Sequence, residues 1–151
     1  MELTAYPTIH NYLQAADHSV ADYKIVPDDP RKIEAQLRHW LAPPPQASSP
    51  KPQAFSLGVI LTTGGTGIAS RDTTVEVVSR LLCKELEGFG ELFRMLSWDQ
   101  VGAAAMLSRA IGGLAGETLL FAMPGSSKAV ELAMEKLIIP EQAHLIWERS
   151  R

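Results

Sequence analysis

A chain of 151 residues with 46% hydrophobic content is long enough for one domain built around one core. Its formal charge of -3, with no run of Lys or Arg, leaves no electrostatic footprint for nucleic acid or an anionic membrane. The lone Cys83 makes no intrachain disulfide, and neither a signal-peptide core nor an apolar run of membrane-spanning length is visible, so the expected compartment is the cytoplasm.

Ile9, Tyr12, Leu13 and Ala16 recur at helical spacing, which predicts a short amphipathic helix over 8–16 with no strand ahead of it. Val20 to Val26 reads as a strand that stops at Pro27. In Asp28-Asp29-Pro30, Asp29 is the expected cap and Pro30 the first helical residue, leaving Asp28 free to point elsewhere. Ile33, Leu37 and Trp40 or Leu41 then mark the buried face of a helix ending near Ala42. Residues 42–53 hold five of the ten prolines and no apolar period, so an extended loop inside a single domain is expected there.

Phe55 to Leu61 is nearly continuous in apolar character and predicts a strand buried on both faces. It runs into Thr62-Thr63-Gly64-Gly65-Thr66-Gly67, followed by Arg71-Asp72. Backbone amides, hydroxyls and a carboxylate at a strand end suit a phosphate or nucleotide site. The spacing is neither the G-x-G-x-x-G fingerprint nor a P-loop. Thr73 to Glu76 fits a capping box, with Thr73 accepting from the backbone and Glu76 reaching back, ahead of a helix through Val75, Val78, Leu82 and Leu86.

Glu87 to Leu96 is expected to be a core-packing turn and helix. A second capping box, Ser97 to Gln100, opens an Ala-rich helix closed by Gly112-Gly113. Thr118 to Met123 is a further short strand, ending in Pro124-Gly125-Ser126-Ser127, where Ser127 is the expected cap of a helix carrying Val130, Leu132, Ala133 and Leu137. Two strands thus end in small-residue turns, and in a parallel sheet both turns share the carboxyl edge. Pro140 starts the last helix, with Ile146 and Trp147 as packing residues. His10, His18, His39 and His144 lack metal-ligand spacing.

These residues together resemble the MoaB/Mog family of molybdenum cofactor biosynthesis, which includes a related domain of gephyrin. The resemblance rests on Val26-Pro27-Asp28-Asp29, on LTTGGTG with Arg71-Asp72-Thr73-Thr74 and Glu76, on Gly88-Phe89-Gly90-Glu91 with Arg94, on Ser108-Arg109, and on Pro124-Gly125-Ser126 with Lys128-Ala129, in that order. It implies a three-layer α/β/α sandwich with a mostly parallel sheet, usually trimeric. Active members are molybdopterin adenylyltransferases: the terminal phosphate of molybdopterin attacks the α-phosphate of ATP, pyrophosphate leaves, and the product passes to a molybdenum-insertion partner.

On that resemblance Asp72 and Asp28 are the catalytic residues, with Asp72 holding Mg²⁺. Thr63, Gly64, Gly65, Thr66, Gly67, Ser108, Pro124, Gly125 and Ser126 are the substrate-binding residues, the amides of Gly64 to Gly67 cradling phosphate. Plainer readings stand beside these. Asp72 can be a helix-start residue, Asp28 a turn residue, Ser108 and Arg109 part of a solvated face, Ser126 a turn residue, and Phe89 core. Val75 and Glu87 depart from the family pattern at helix ends. The family's first strand and its Asp/Ser/Gly-bearing loop are not seen ahead of the first helix. An adenylyltransferase and a molybdopterin-binding or assembly protein without turnover both fit.

Overall fold

A computed structural model describes residues 5–42 and 58–151. Helices α1 (Ala5–Ala15) and α2 (Pro30–Leu41) lead to strand β1 (Val59–Thr63), helix α3 (Thr74–Leu81), a two-residue strand β2 (Lys84–Glu85) and the long helix α4 (Glu87–Val101). A 3-10 segment (Gly102–Leu107) connects to β3 (Ile111–Ala115) and β4 (Thr118–Met123). Helix α5 (Ser127–Ala133), a π turn (Met134–Ile138) and α6 (Ile139–Arg149) complete the described chain.

The sheet order is β1-β4-β3-β2. β4 is its centre, and all six of its residues are buried. Apolar side chains alternate to both faces of such a strand, so each face needs a helical cover. One layer sets Ile33 and Leu37 of α2 and Val77 and Val78 of α3 against Ile60, Ile111 and Leu120. The opposite layer gathers Phe89 and Phe93 of α4 with Val130, Met134 and Ile138 against Leu119, Phe121 and Met123, and α1 and α6 add partly buried residues. Burying each of these large side chains contributes roughly 1.5–3 kcal/mol. The expected α/β/α sandwich is present.

The sheet is mixed, where a mostly parallel one was expected. β1 runs parallel to β4, whereas β3 pairs antiparallel with both β4 and β2. A tight turn at Gly116-Glu117, with Gly116 at φ +62, joins β3 to β4 directly and so forces antiparallel pairing. Gly112-Gly113 closes no helix but lies inside β3. A Cβ on Gly112 would enter the Phe121 ring, and one on Gly113 would meet the Lys84 carbonyl, so glycine is what lets the neighbouring strands approach.

Several local expectations are corrected for identifiable reasons. Ser97 caps nothing: it is buried within α4 and its Oγ donates back to the Phe93 carbonyl at 2.7 Å. Thr73 is the N-cap of α3, but its side chain makes no cap hydrogen bond, and Glu76 is paired with Arg109 and does not reach back. Helix α3 stops at Leu81, since Cys83 and Leu86 donate their amides to Leu114 and Gly112 and carry the chain into the sheet. Ser126, and not Ser127, caps α5 by accepting from the Ala129 amide. Trp147 is exposed beneath the Arg151 guanidinium, while Ile146 packs on the core.

Residues 20–26 form no strand, because a strand needs a ladder and among the described residues β1 pairs only with β4. Asp29 does cap α2, accepting from the Arg31 amide at 2.9 Å with Pro30 just inside. Most of the predicted Pro-rich loop, and Phe55 to Leu57 of the predicted strand, lie outside the described residues.

Candidate functional site

The parallel pairing of β1 and β4 brings their carboxyl ends together, with Thr63 opposite Met123. Gly64 donates its amide to the Met123 carbonyl at 3.0 Å, and a Cβ on Gly125 would sit 3.4 Å from the Gly64 Cα. The two glycine turns therefore touch at one sheet edge. Gly64 and Gly65 both adopt positive φ, +86 and +65, a region that L side chains rarely enter. The Gly65 carbonyl accepts from the Thr74 amide at 3.1 Å, folding the loop back onto the start of α3. A Cβ on Gly65 would collide with Thr74 Oγ1. Because the Gly64 amide is already engaged, the expected anion cradle narrows to the amides of Gly65, Thr66 and Gly67, which have no partner among the described residues.

Asp72 lies at the far end of this loop. Its Oδ2 accepts from the Ala69 amide at 3.1 Å and would stand 2.6 Å from a Cβ on Gly67, so the carboxylate closes against the glycine backbone. Asp28, Thr63, Gly64, Gly65, Asp72 and Gly125 all line one cavity of about 1140 Å³. Arg71 joins that wall and enters no ion pair among the described residues. Thr66, buried, and Gly67 belong to the same loop but are not lining residues. Ser108, Pro124 and Ser126 are not lining residues either. Ser126 Oγ is engaged as the α5 cap, and Ser108 Oγ accepts from the Ala110 amide at 3.4 Å.

Arg109 holds the loop from behind, a role not read from the sequence. Its Nε donates to the Gly67 carbonyl at 3.0 Å, and Nη2 donates to the carbonyls of Gly67 at 2.6 Å and Asp72 at 3.0 Å. Nη1 makes a close ion pair with Glu76. One guanidinium thus ties both ends of the loop to α3. The Arg109 hydrogen bond is the main cause that holds the Glu76 carboxyl below its ordinary range, against the opposing effect of burial. Phe89 is core, as the plainer reading had it.

Among the described residues, no three His, Cys, Asp or Glu side chains stand together as a metal cage. Mg²⁺ is commonly bound by one or two carboxylates with substrate phosphates and water completing its shell. Asp72 fits that substrate-assisted arrangement: Oδ2 is engaged by an amide, while Oδ1 accepts no hydrogen bond among the described residues.

Two touching glycine turns at the carboxyl edge, with an acid-bearing loop beside them, make this an α/β/α protein with a cleft at the carboxyl edge of its sheet. The probable molybdopterin binding domain family matches residues 4–144, and the chain belongs to this family, the MoaB/Mog molybdenum cofactor biosynthesis proteins. It is 49% identical over 144 residues to molybdenum cofactor biosynthesis protein B of Bacillus anthracis, covering 95% of this chain and 79% of that protein. A crystal structure of a molybdenum cofactor biosynthesis protein B superposes with a TM-score of 0.86 at 46% identity, over 97% of this chain and 85% of that one. The tungsten cofactor synthesizing protein MoaB from Pyrococcus furiosus superposes with a TM-score of 0.82 at 35% identity, over 100% and 88% of the two chains.

Proposed function

We propose that the chain binds molybdopterin and transfers AMP from ATP to its terminal phosphate. The observation that carries this reading is the meeting of Asp28, Asp72 and the glycine turns in one cavity. In such a transfer the protein's task is to align two phosphates and offset their charge. The Gly65 amide supplies a donor to phosphate oxygens, the Thr63 and Thr74 hydroxyls add polar contacts, and Arg71 offers a cation at the rim. Asp72, held by the Ala69 amide, presents its remaining oxygen to Mg²⁺, which when bound neutralises charge on the transferring phosphate. Asp28 faces the same space from the start of α2 and serves to orient the pterin-bearing substrate.

Asp72→Asn tests this reading because it keeps shape and hydrogen bonding while removing charge. Thermal unfolding and adenylyl transfer with molybdopterin, ATP and Mg²⁺ are measured for variant and parent. Activity is expected to fall at least about 100-fold, in the range for loss of one electrostatic stabiliser. Stability should change by well under about 1 kcal/mol, because the Asn side chain still offers an oxygen to the Ala69 amide. Equal activity would sink the assignment of Asp72.

A second reading is molybdopterin binding without turnover, which the same cavity accommodates. A parent that binds molybdopterin but transfers no AMP would support it. Self-association as a homotrimer belongs to both readings. It draws support from the exposed apolar row Met95, Trp98, Val101 and Met106 on and just after α4. Light scattering at micromolar concentration is expected to give three times the chain mass, and a monomer would count against it.

A further inference from the structure

Arg109 clamps the site loop, so whatever fixes its own backbone also fixes the loop. β3 runs antiparallel to β4, and its first residue, Ile111, lies opposite Ala122, beside the end of β4 where the glycine turns meet. Residues 108–110, just ahead of Ile111, belong to no helix or strand and so have no ladder to hold them.

Arg94 of α4 reaches this segment. Its Nη1 donates to the carbonyls of Ser108 and Ala110, at 3.5 and 3.4 Å, and these two groups flank Arg109 in the chain. Both bonds are long, as expected where one nitrogen is shared between two acceptors. Arg94 enters no ion pair among the described residues, and the two carbonyls are the acceptors its side chain meets. Gly90, one turn earlier and buried inside α4, makes the approach possible. A Cβ there would stand 2.7 Å from the Ala110 carbonyl oxygen and 2.9 Å from Arg94 Nη1. Glycine inside a helix is less favourable than alanine, and this close approach is what offsets that.

We propose that Arg94 is a positioning residue for the Asp72 loop, acting through Arg109. The line of contacts is continuous. Arg94 holds the two carbonyls beside Arg109, Arg109 donates to the carbonyls of Gly67 and Asp72, and Asp72 Oδ2 accepts from the Ala69 amide. It also crosses the sheet, since α4 covers one face and α3, which Arg109 grips through Glu76, covers the other. Arg94, Ser108 and Arg109 are not lining residues of the cavity, so Arg94 acts on where the Asp72 carboxylate stands and not on substrate by contact. A misplacement of about 1 Å caused far from the chemistry costs on the order of 100-fold in rate. The effect on turnover rests on the proposed AMP transfer, whereas the effect on the loop does not.

The test uses the full chain with Arg94→Met, which keeps an apolar stem and removes the donors. Amide exchange is followed by NMR at Ala69, bonded to Asp72, and at Thr74, bonded to Gly65. Both are expected to accelerate at least about 10-fold more than Leu120 and Phe121 of β4, which report global opening. Gly90→Ala retains the guanidinium but displaces it, and should give the same pattern even though alanine favours the helix itself. In an Arg109→Met background, Arg94→Met should add nothing, because the link is already cut. In an active parent, kcat for AMP transfer is expected to fall at least about 10-fold with the KM for ATP little changed. Unchanged exchange at Ala69 and Thr74 in both variants would overturn the proposal. So would acceleration no greater than in β4, additive effects of the two arginines, or a kcat equal to that of an active parent. A parent without turnover would refute the AMP-transfer reading alone, and the exchange rates would still decide the role of Arg94.

Discussion

Replacing Arg109 by Lys keeps the charge but removes the planar fork that reaches several loop carbonyls at once. The guanidinium makes three close bonds to the carbonyls of Gly67 and Asp72, and a single ammonium in that position serves one. Two charge-assisted bonds are then lost, at roughly 1.5–3 kcal/mol each when fully desolvated. The Arg109 side chain is 32% exposed, so water reaches the vacated carbonyls and offsets about half of that. The expected loss is about 2 kcal/mol, which for a domain of this size lowers the melting temperature by about 4–8 °C. The ion pair contributes less, because Glu76 is 48% exposed and such pairs are worth about 0.2–1 kcal/mol. A double-mutant cycle with Glu76→Gln, read by urea unfolding, separates the two parts. Amide exchange at Ala69 and Thr74 should accelerate in Arg109→Lys. A loss below about 0.5 kcal/mol, or a cycle in which coupling to Glu76 accounts for all of it, would refute the carbonyl-clamp reasoning.

Gly65→Ala places a Cβ against Thr74 Oγ1 at a φ of +65, so roughly 1–2 kcal/mol of left-handed backbone cost is joined by displacement of Thr74. A melting temperature lowered by about 5 °C and weakened ATP binding by calorimetry are expected, and an unchanged loop would contradict the described geometry. His144 hydrogen-bonds Glu141 and neighbours Glu148, and the bond to Glu141 is the main cause that raises its pKa above the ordinary 6.5. Since the folded value is the higher one, its contribution to stability is complete below about pH 6.5 and fades as pH rises through the folded pKa. An NMR titration should place the midpoint above 6.5 and move it down in Glu141→Gln, and a midpoint at or below 6.5 would be decisive against the pairing.

What was legible in the sequence follows from how each element is stabilised. β4 was readable over its full length because every residue is buried and the apolar run is unbroken. The glycine turns were readable too, since a positive φ leaves a compositional trace at Gly64 and Gly65. β3 was not, because its two glycines serve close strand approach and look from the sequence like a helix stop. The role of Arg109 left no trace at all: its partners are backbone carbonyls about forty residues earlier, and any residue type presents a carbonyl. Residues 20–26 have strand-like composition, yet composition cannot say whether a neighbouring strand stands within reach.

The π turn at Met134–Ile138 sets the angular phase of everything after it. Val130, Met134, Ile138 and Gln142 are buried at every fourth position, a row that over-rotates by about 40° per step in a straight α-helix and so would wind off its face. The bond from the Ile139 amide to the Met134 carbonyl skips five residues and takes up that excess, just ahead of Pro140, whose ring brings no donor. α5 and α6 are therefore two shafts joined by a five-residue spacer that holds one residue more than a plain α-helical turn. Deleting any residue of the spacer would turn the second shaft by about 100°, swinging Gln142 out of the cleft wall and Ile146 off the core. The side chains of residues 134–138 tolerate exchange more readily than their number does.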